Sequence, residues 1–371
     1  MDKKKTTLTA IEAQKQDVDE AIVRQLALFT DTNSDANTLI GYDIRPRFIH
    51  TRRSKVQQLT EYQDSGDKFI FLNDGSAYSI QPAVIDRDKG KIAVFPGTRE
   101  SLVEEAIMSF ASNREFDPKT KEPGYVFDGG SLKVMFTLYQ LWNFMAKNSK
   151  TYAYDELQEA LIVLMRAGHW KGKKEDYGDG KLRKTDTYES YITGLKFVDN
   201  DTPDEVNVKV DKYFSVTLNP EATKLITKGA YKLYDDKKSL KMKSPIARFL
   251  YKKIIQQVKR HAMDETFDPI ELDQNQCILA SGYQIQDNAT KKKMAFQAAL
   301  DELQKQKVLK EKGKEAETHE HKEGRAIIEI TYTVHLAEEM AAYMHKVYAR
   351  DDHKQEQLTG ESAEQKVLDH N

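Results

Sequence analysis

The residues best suited to chemistry are cations gathered in the last third of the chain. Residues 237–260, KKSLKMKSPIARFLYKKIIQQVKR, hold nine basic side chains and no acidic one. Such a cluster can neutralise phosphates and release their counterions, which makes binding salt-dependent. Arg248, Lys252 and Lys253 share this stretch with Ile246, Phe249, Leu250 and Ile254, whose spacing anchors a helix in a core. An ordinary solvated helix face is the alternative reading. A second cluster starts at Asn288. If Phe296, Ala299, Leu300 and Leu303 face inward at 100° per residue, the opposite face carries Thr290, Lys291, Met294, Ala298 and Lys305, with Gln297 on its flank.

A helix that shows its positive N-terminus and these side chains can enter the DNA major groove and touch bases from its N-terminal half. In that setting Gln297 suits adenine and Lys291 suits guanine, while Lys292 and Lys293 suit phosphate. The small Ala298 permits close approach. Downstream, Lys310, Lys312, Gly313 and Lys314 read as the basic limb of a hairpin. Its other limb, EAETHEHKEG, carries four acids, which leaves the basic limb and Arg325 to meet DNA. Earlier in the chain, Lys171, Lys173, Lys174, Lys181, Arg183 and Lys184 form a similar basic turn.

Signals for covalent chemistry are weaker. GDGKLRKT resembles a phosphate-binding loop only superficially, and no GxxxxGK[ST], HExxH or GxSxG occurs. His319-Glu320-His321 followed by Tyr343 and Lys346 resembles the two-histidine metal motif and Tyr-x-x-Lys nucleophile of rolling-circle nucleases. In those enzymes the residue between the histidines is apolar and lies on a central strand. Here it is Glu320, within a charged, turn-like run, so a solvated hairpin and an amphipathic C-terminal helix are expected. No catalytic residue, cofactor or metal site is expected.

These clusters need elements to hold them. The chain has 371 residues, enough for two domains with arms. Hydrophobic residues make up 39% and charged residues 31%, the balance of a charge-rich globular protein. With 57 Lys and Arg against 59 Asp and Glu the net charge is −2, which excludes a uniformly basic coat but not a local basic face. The single cysteine, Cys277, excludes an internal disulfide framework and a cysteine-based zinc site, so reducing cytoplasm is the expected compartment. No run of 18 apolar residues occurs, and MDKKKTTLTAIEAQKQ has no apolar core of a secretory signal, so neither membrane insertion nor export is expected.

Along the chain, residues 1–95 read as an extension of one amphipathic helix and short strands, with a basic extended stretch containing Arg45, Arg47, Arg52, Arg53 and Lys55. This stretch suits either a DNA-contacting arm or a solvated linker. From residue 96 the pattern becomes helices over ESLVEEAIMSFAS, TLYQLWNFMAKN and YDELQEALIVLMRAG, then a strand meander. Thr137 suits an N-cap and Gly168 a C′ position. After residue 236 the plan recurs: helices over SPIARFLYKKIIQQVKRH, DPIELDQNQCILASGY and NATKKKMAFQAALDELQKQKV, a charged hairpin, the strand AIIEITYTVHL and a terminal helix. Leu157, Ala160, Leu161 and Leu164 match Phe296, Ala299, Leu300 and Leu303 in spacing, and each set is followed by an apolar pair, a lysine and a glycine-containing basic turn. Each set is also preceded by an aromatic-rich helix, LYQLWNFM or ARFLYKKI. Helix, helix, hairpin and strand is the order of a winged helix. The expected fold is therefore α+β: two tandem winged-helix domains, 96–235 and 236–350, behind the N-terminal extension, with a disordered tail at 351–371. Two unrelated amphipathic helices would also fit the spacing.

Three stretches, FPGTRESLVEEAI, LKVMFTLYQLWNFMAKNSKTYAYDELQEALIVL and LKMKSPIARFLYKKI, resemble the replication initiators of theta-replicating plasmids. The resemblance covers residues 95–310, and its most specific part is a Ser-Pro-Ile-Ala-Arg helix after a basic strand. It implies a non-enzymatic protein whose tandem winged helices bind direct repeats of double-stranded DNA at an origin. Such proteins open an adjacent AT-rich segment and recruit the host initiator, helicase and primase. It further implies homodimers that repress the initiator's own gene. By position, the helix from Asn288 would be the main DNA reader and the helix from Asp155 its partner in the first domain. A double winged-helix transcriptional regulator and a nicking enzyme are the competing classes.

Overall fold

The computed structural model describes residues 22, 26, 29, 35–50, 56–58, 69–73, 76–87, 90–176, 182–198, 213–261, 266–284, 288–310, 317–323 and 326–359. After the helical residues Ile22, Leu26 and Phe29 come strands β1 (Ala36–Leu39), β2 (Val56–Gln58), β3 (Phe69–Asn73), β4 (Ser76–Gln81), β5 (Ala83–Arg87) and β6 (Gly90–Val94). Helix α1 (Thr98–Asn113) leads into β7 (Gly124–Asp128), β8 (Ser131–Thr137), α2 (Leu138–Lys147) and α3 (Tyr154–Arg166). Next are β9 (Gly168–Asp176), β10 (Leu182–Ser190), β11 (Ile192–Val198), β12 (Tyr213–Leu218), α4 (Pro220–Thr227), β13 (Tyr231–Tyr234) and α5 (Asp236–Lys241). The C-terminal part runs α6 (Pro245–Gln257), β14 (Ile270–Asp273), α7 (Gln274–Ala280), α8 (Ala289–Lys305), β15 (Glu317–Glu323), β16 (Ala326–Val334) and α9 (Glu338–Thr359).

This is a mixed α and β protein whose described strands form small antiparallel sheets, ordered β10-β9-β4-β3, β11-β12-β8-β7, β2-β6-β5, β14-β16-β15 and β1-β13. Two large apolar cores sit beneath them. The first is filled from α1, α2, α3 and the strands around them, and it also takes Leu26, Phe29, Leu39 and Tyr42 from the N-terminal stretch. The second is filled from α6 to α9 and the β14-β16-β15 sheet. The β1-β13 ribbon spans both, with Leu39 and Tyr231 in one core and Ala36 and Leu233 in the other.

Local signals explain most boundaries. Thr137 caps α2, accepting from the Gln140 backbone NH at 3.1 Å while the Gln140 side chain accepts from the Thr137 NH at 2.7 Å. Ser244 caps α6 with Pro245 in its first turn, and Asn288 caps α8 by accepting from the Lys291 NH at 2.9 Å. Gly129 and Gly130 supply the two positive φ angles, 57° and 77°, of the tight β7–β8 turn.

Several expectations are corrected. DPIELDQNQCILASGY is not one helix: Ile270 and Leu272 are buried and Glu271 is exposed, a period of two that makes β14. Asp273 then starts α7 by accepting from the Gln276 NH at 2.5 Å. Helix α2 precedes α3 directly, whereas α7 intervenes between α6 and α8, so α6 corresponds in order to α1 rather than to α2. The run before Ser244 is the short helix α5, not a strand. Gly168 is not a left-handed cap. It opens β9, and a Cβ there would collide with the Tyr188 ring packed over it. The ETHEHKE run is strand β15, paired antiparallel with β16 with a register shift between His321 and Lys322, and closing where Glu323 meets Ala326. The chain past residue 351 is helical to Thr359, and residues 360–371 lie outside those described.

Candidate nucleic-acid interface

Helix α8 buries Phe296, Ala299, Leu300 and Leu303, the stripe its spacing requires. With that face fixed, Thr290, Lys291, Lys293, Met294 and Ala298 are exposed and Lys292 is half-buried. Met294, at 68%, is the most exposed large apolar side chain among those described. Helix α8 lies after α6, β14 and α7 and before the β15–β16 hairpin, and its apolar stripe packs into the second core. The positive end of the helix, Lys291, Lys293 and the exposed Met294 thus share the outward side of a rigid element, whereas Lys292 turns toward the buried stripe.

Two predicted contacts on this helix are already engaged. Lys293 Nζ pairs with Glu320 Oε1 at 3.1 Å, tying the helix to β15. Gln297 Nε2 donates to Asp301 Oδ1 at 2.8 Å. A phosphate would have to displace Glu320, which costs little because exposed pairs contribute about 0–1 kcal/mol. For Gln297 to read adenine, its amide must turn away from Asp301. Asn288 spends its side-chain oxygen on the cap. The predicted hairpin residues Lys312, Lys314 and Arg325 lie outside the described residues, as does Lys181 of the first basic turn. Among the described hairpin residues, Thr318, His319 and Glu320 are exposed.

The basic run on α6 does not form an outward cationic face. Arg248 is buried, its Nη1 donates to the Met242 carbonyl at 3.4 Å, and its Nη2 has no hydrogen-bond partner. Burial holds its guanidinium below the ordinary arginine value, partly offset by Glu105, Tyr152 and Glu302. Lys252 points into the same cleft between the two cores, 3.6 Å from Glu105 and 5.2 Å above the Tyr234 ring. Lys253 is half-buried, near enough to Cys277 to pull against the burial that pushes that thiol up to about 12. The apolar stripe of α6 is broad enough that Arg248 falls inside it, so neither the DNA-facing nor the freely solvated reading holds for this residue.

The same holds for the basic N-terminal stretch. Arg45 makes two hydrogen bonds of 2.6 Å to the Glu221 carboxylate. Arg47 is buried, paired with Glu104, and lies 3.9 Å over the Tyr42 ring. Burial alone would lower the Arg47 pKa, but Glu104 and Tyr42 outweigh it and hold the group charged. The stretch then crosses to the second core: His50 NH donates to Gly282 O at 2.8 Å and Gln284 NH donates to His50 O at 2.9 Å. Gly282 has φ +71°, and a Cβ there would strike the Phe48 carbonyl, so glycine is required at this crossing. Arg45 and Arg47 are therefore internal ties, neither an arm nor a linker. Arg52, Arg53 and Lys55 lie outside the described residues.

Tyr343, the candidate nicking nucleophile, packs against the second core. Tyr343 has a buried hydroxyl with no hydrogen-bond partner, and burial pushes its phenol far above the ordinary tyrosine range. A nucleophile must reach its substrate and shed its proton, and this one is disfavoured on both counts. Lys346 is paired with Asp35 at 2.9 Å. No group of three or more His, Cys, Asp or Glu poised to hold a metal occurs among the described residues.

The part of the chain around the first core carries a surface that the sequence pattern does not single out. Tyr139, Trp142 and Tyr154 stack in series, with centroids 6.0 and 5.8 Å apart, and Tyr139 and Tyr154 are 56% and 44% exposed. Asp155 and Glu156 stand exposed beside them in the first turn of α3. The signal lay in the i, i+3 spacing of Tyr139 and Trp142, which reads equally well as core.

No family model matches the chain, and no curated protein matches it. Among solved structures, a crystal structure of domains 2 and 3 of RctB in selenomethionine form is similar over 79% of this chain and 95% of its own, at 10% identity and a TM-score of 0.44. Another structure of RctB domains 2–3 is similar over 81% of this chain and 98% of its own, at 8% identity and a TM-score of 0.41. No described helix is long and apolar enough to cross a membrane.

Proposed function

We propose that this chain is a non-catalytic replication initiator of the theta-plasmid type, acting in the cytoplasm. It binds direct repeats in duplex DNA, promotes melting nearby and recruits host replication proteins, the initiator and helicase among them. The observation that carries the DNA-binding part is the outward face of α8: Thr290, Lys291 and Met294 exposed at the start of a helix whose opposite stripe is locked in a core. The order α6, β14, α7, α8, β15, β16 with the sheet order β14-β16-β15 suits a winged helix, with α8 as its reading helix and β15–β16 as its wing. The initiator part is supported by the sequence resemblance over residues 95–310, and the buried hydroxyl of Tyr343 speaks against that residue as a nicking nucleophile.

Binding to DNA surrounding the chain's own gene, with random competitor at two salt concentrations, tests this. Tight, competitor-resistant binding at direct repeats is expected, and a minimal plasmid lacking only this gene should fail to replicate. Binding confined to an inverted repeat at a promoter, with replication intact, identifies a transcriptional regulator instead. No specific binding at either salt overturns the reading of α8.

A further inference from the structure

The position of Met294 in α8 has no explanation in the folding of the chain. At 100° per residue it points almost directly away from the buried stripe, and it is 68% exposed in the centre of a polar face. Its neighbours one turn before and after on the same face, Thr290 and Ala298, are small and exposed, so nothing on the helix shields it from an approaching partner. Lysines 291 and 293 flank it. The Thr290 hydroxyl begins this face and Asp301, which accepts from Gln297, ends it, with Met294 and Ala298 between them. The middle of the reading face is thus apolar and its edges are cationic.

That pattern matches one feature of duplex DNA. In the major groove the base edges offer donors, acceptors and a single apolar group, the 5-methyl of thymine. Phosphates line the groove on both sides, where cations belong. Methionine is unbranched and polarizable, so it can follow a methyl group whose position varies with groove geometry. We infer that Met294 reads a thymine methyl in the groove that α8 enters, with Lys291 and Lys293 on the flanking backbone. This rests on the DNA-binding reading of α8 and goes beyond it by assigning the chemistry of one base position.

The test uses the full chain. Duplexes are selected from a random pool, and the best binder is resynthesised with deoxyuridine replacing one thymine at a time, which removes only the methyl. For the unaltered protein, one or two of these replacements should weaken binding about three- to tenfold. Met294→Ala should weaken binding to the thymine duplex by a similar factor and be indifferent to deoxyuridine at those positions. Met294→Leu, which keeps an apolar contact, should restore the sensitivity and bind within about twofold of the unaltered chain. Thermal melting of each variant checks folding. Equal binding of the thymine and deoxyuridine duplexes at every position overturns the assignment and leaves α8 as a DNA helix. Undiminished sensitivity in Met294→Ala does the same. Failure to enrich any sequence overturns both the assignment and the DNA reading on which it rests.

Discussion

Helices α3 and α8 occupy matching places after a helix pair and before a hairpin, and each buries an apolar set at i, i+3, i+4 and i+7: Leu157, Ala160, Leu161 and Leu164 in one, Phe296, Ala299, Leu300 and Leu303 in the other. Their outward faces differ. The first turns of α8 expose Lys291, Lys293 and Met294. The first turn of α3 exposes Tyr154, Asp155 and Glu156, and Glu159 one turn on is held by Arg87 and Arg99. The buried stripe is set by packing and can be kept by any chain of this plan. The outward face is free of that constraint, so function has to be read there. Two exposed carboxylates at the start of α3 would oppose a phosphate backbone, so that helix is less suited to DNA than α8 is. Its exposed ring stack is better suited to a protein contact.

The largest effects should come from the shared stripe. Phe296→Ala should cost about 3–5 kcal/mol and Leu161→Ala about 2–5 kcal/mol in chemical denaturation, because each leaves a cavity in a separate core. If the cores unfold independently, each substitution should shift one of two transitions and spare the other. A single merged transition would show that the β1-β13 ribbon and the His50–Gly282 crossing make the two cores one cooperative unit.

Next come the outward charges. Lys291→Glu with Lys293→Glu should weaken duplex binding by about a hundredfold at moderate salt, since two contacts to phosphate become two repulsions. The mirror change, Asp155→Lys with Glu156→Lys, should alter binding by less than about threefold. Comparable losses from both pairs would erase the contrast and place α3 on the DNA as well. An unchanged affinity in the α8 variant would remove that helix from the interface.

How much of this is legible in the sequence depends on which constraint acts at each position. The stripe on α8 and the caps Thr137, Ser244 and Asn288 depend on neighbours within one helical turn, so spacing alone reveals them. Strand β14 is too short for its period of two, Ile270-Glu271-Leu272, to stand out beside the helix that follows. The fates of Arg47, Arg248 and Lys252 depend on Glu104, Glu105 and the Met242 carbonyl, two of them far away in sequence. A basic run looks the same whether it faces phosphate or lines an internal cleft. In a chain with 59 acidic residues, local positive charge is a poor guide until its partners are placed.

A smaller effect separates those two roles of lysine. Lys252→Ala should cost about 1–2 kcal/mol of stability, because Glu105 is buried beside it and would lose its cation. The slope of log affinity against log salt should stay the same, whereas Lys291→Ala should reduce that slope by about one. A flattened slope in the Lys252 variant would mean that the cleft between the cores opens when DNA binds.

The smallest effect concerns Gln297. Its amide and Asp301 form an i, i+4 pair on an exposed helix face, and such pairs contribute about 0.2–0.5 kcal/mol. Gln297→Ala should therefore barely change melting and should weaken binding to a selected duplex by less than about threefold. A bidentate contact to adenine would instead be worth about 1–3 kcal/mol, enough for a tenfold loss or more. A loss of that size would show that Gln297 abandons Asp301 on DNA. It would also extend the reading face one turn further along α8 than Met294, because 297 follows 294 by three residues on the same side of the helix. A small loss confines base reading to the first two turns, where the lysines lie and the carboxylate of Asp301 does not interfere.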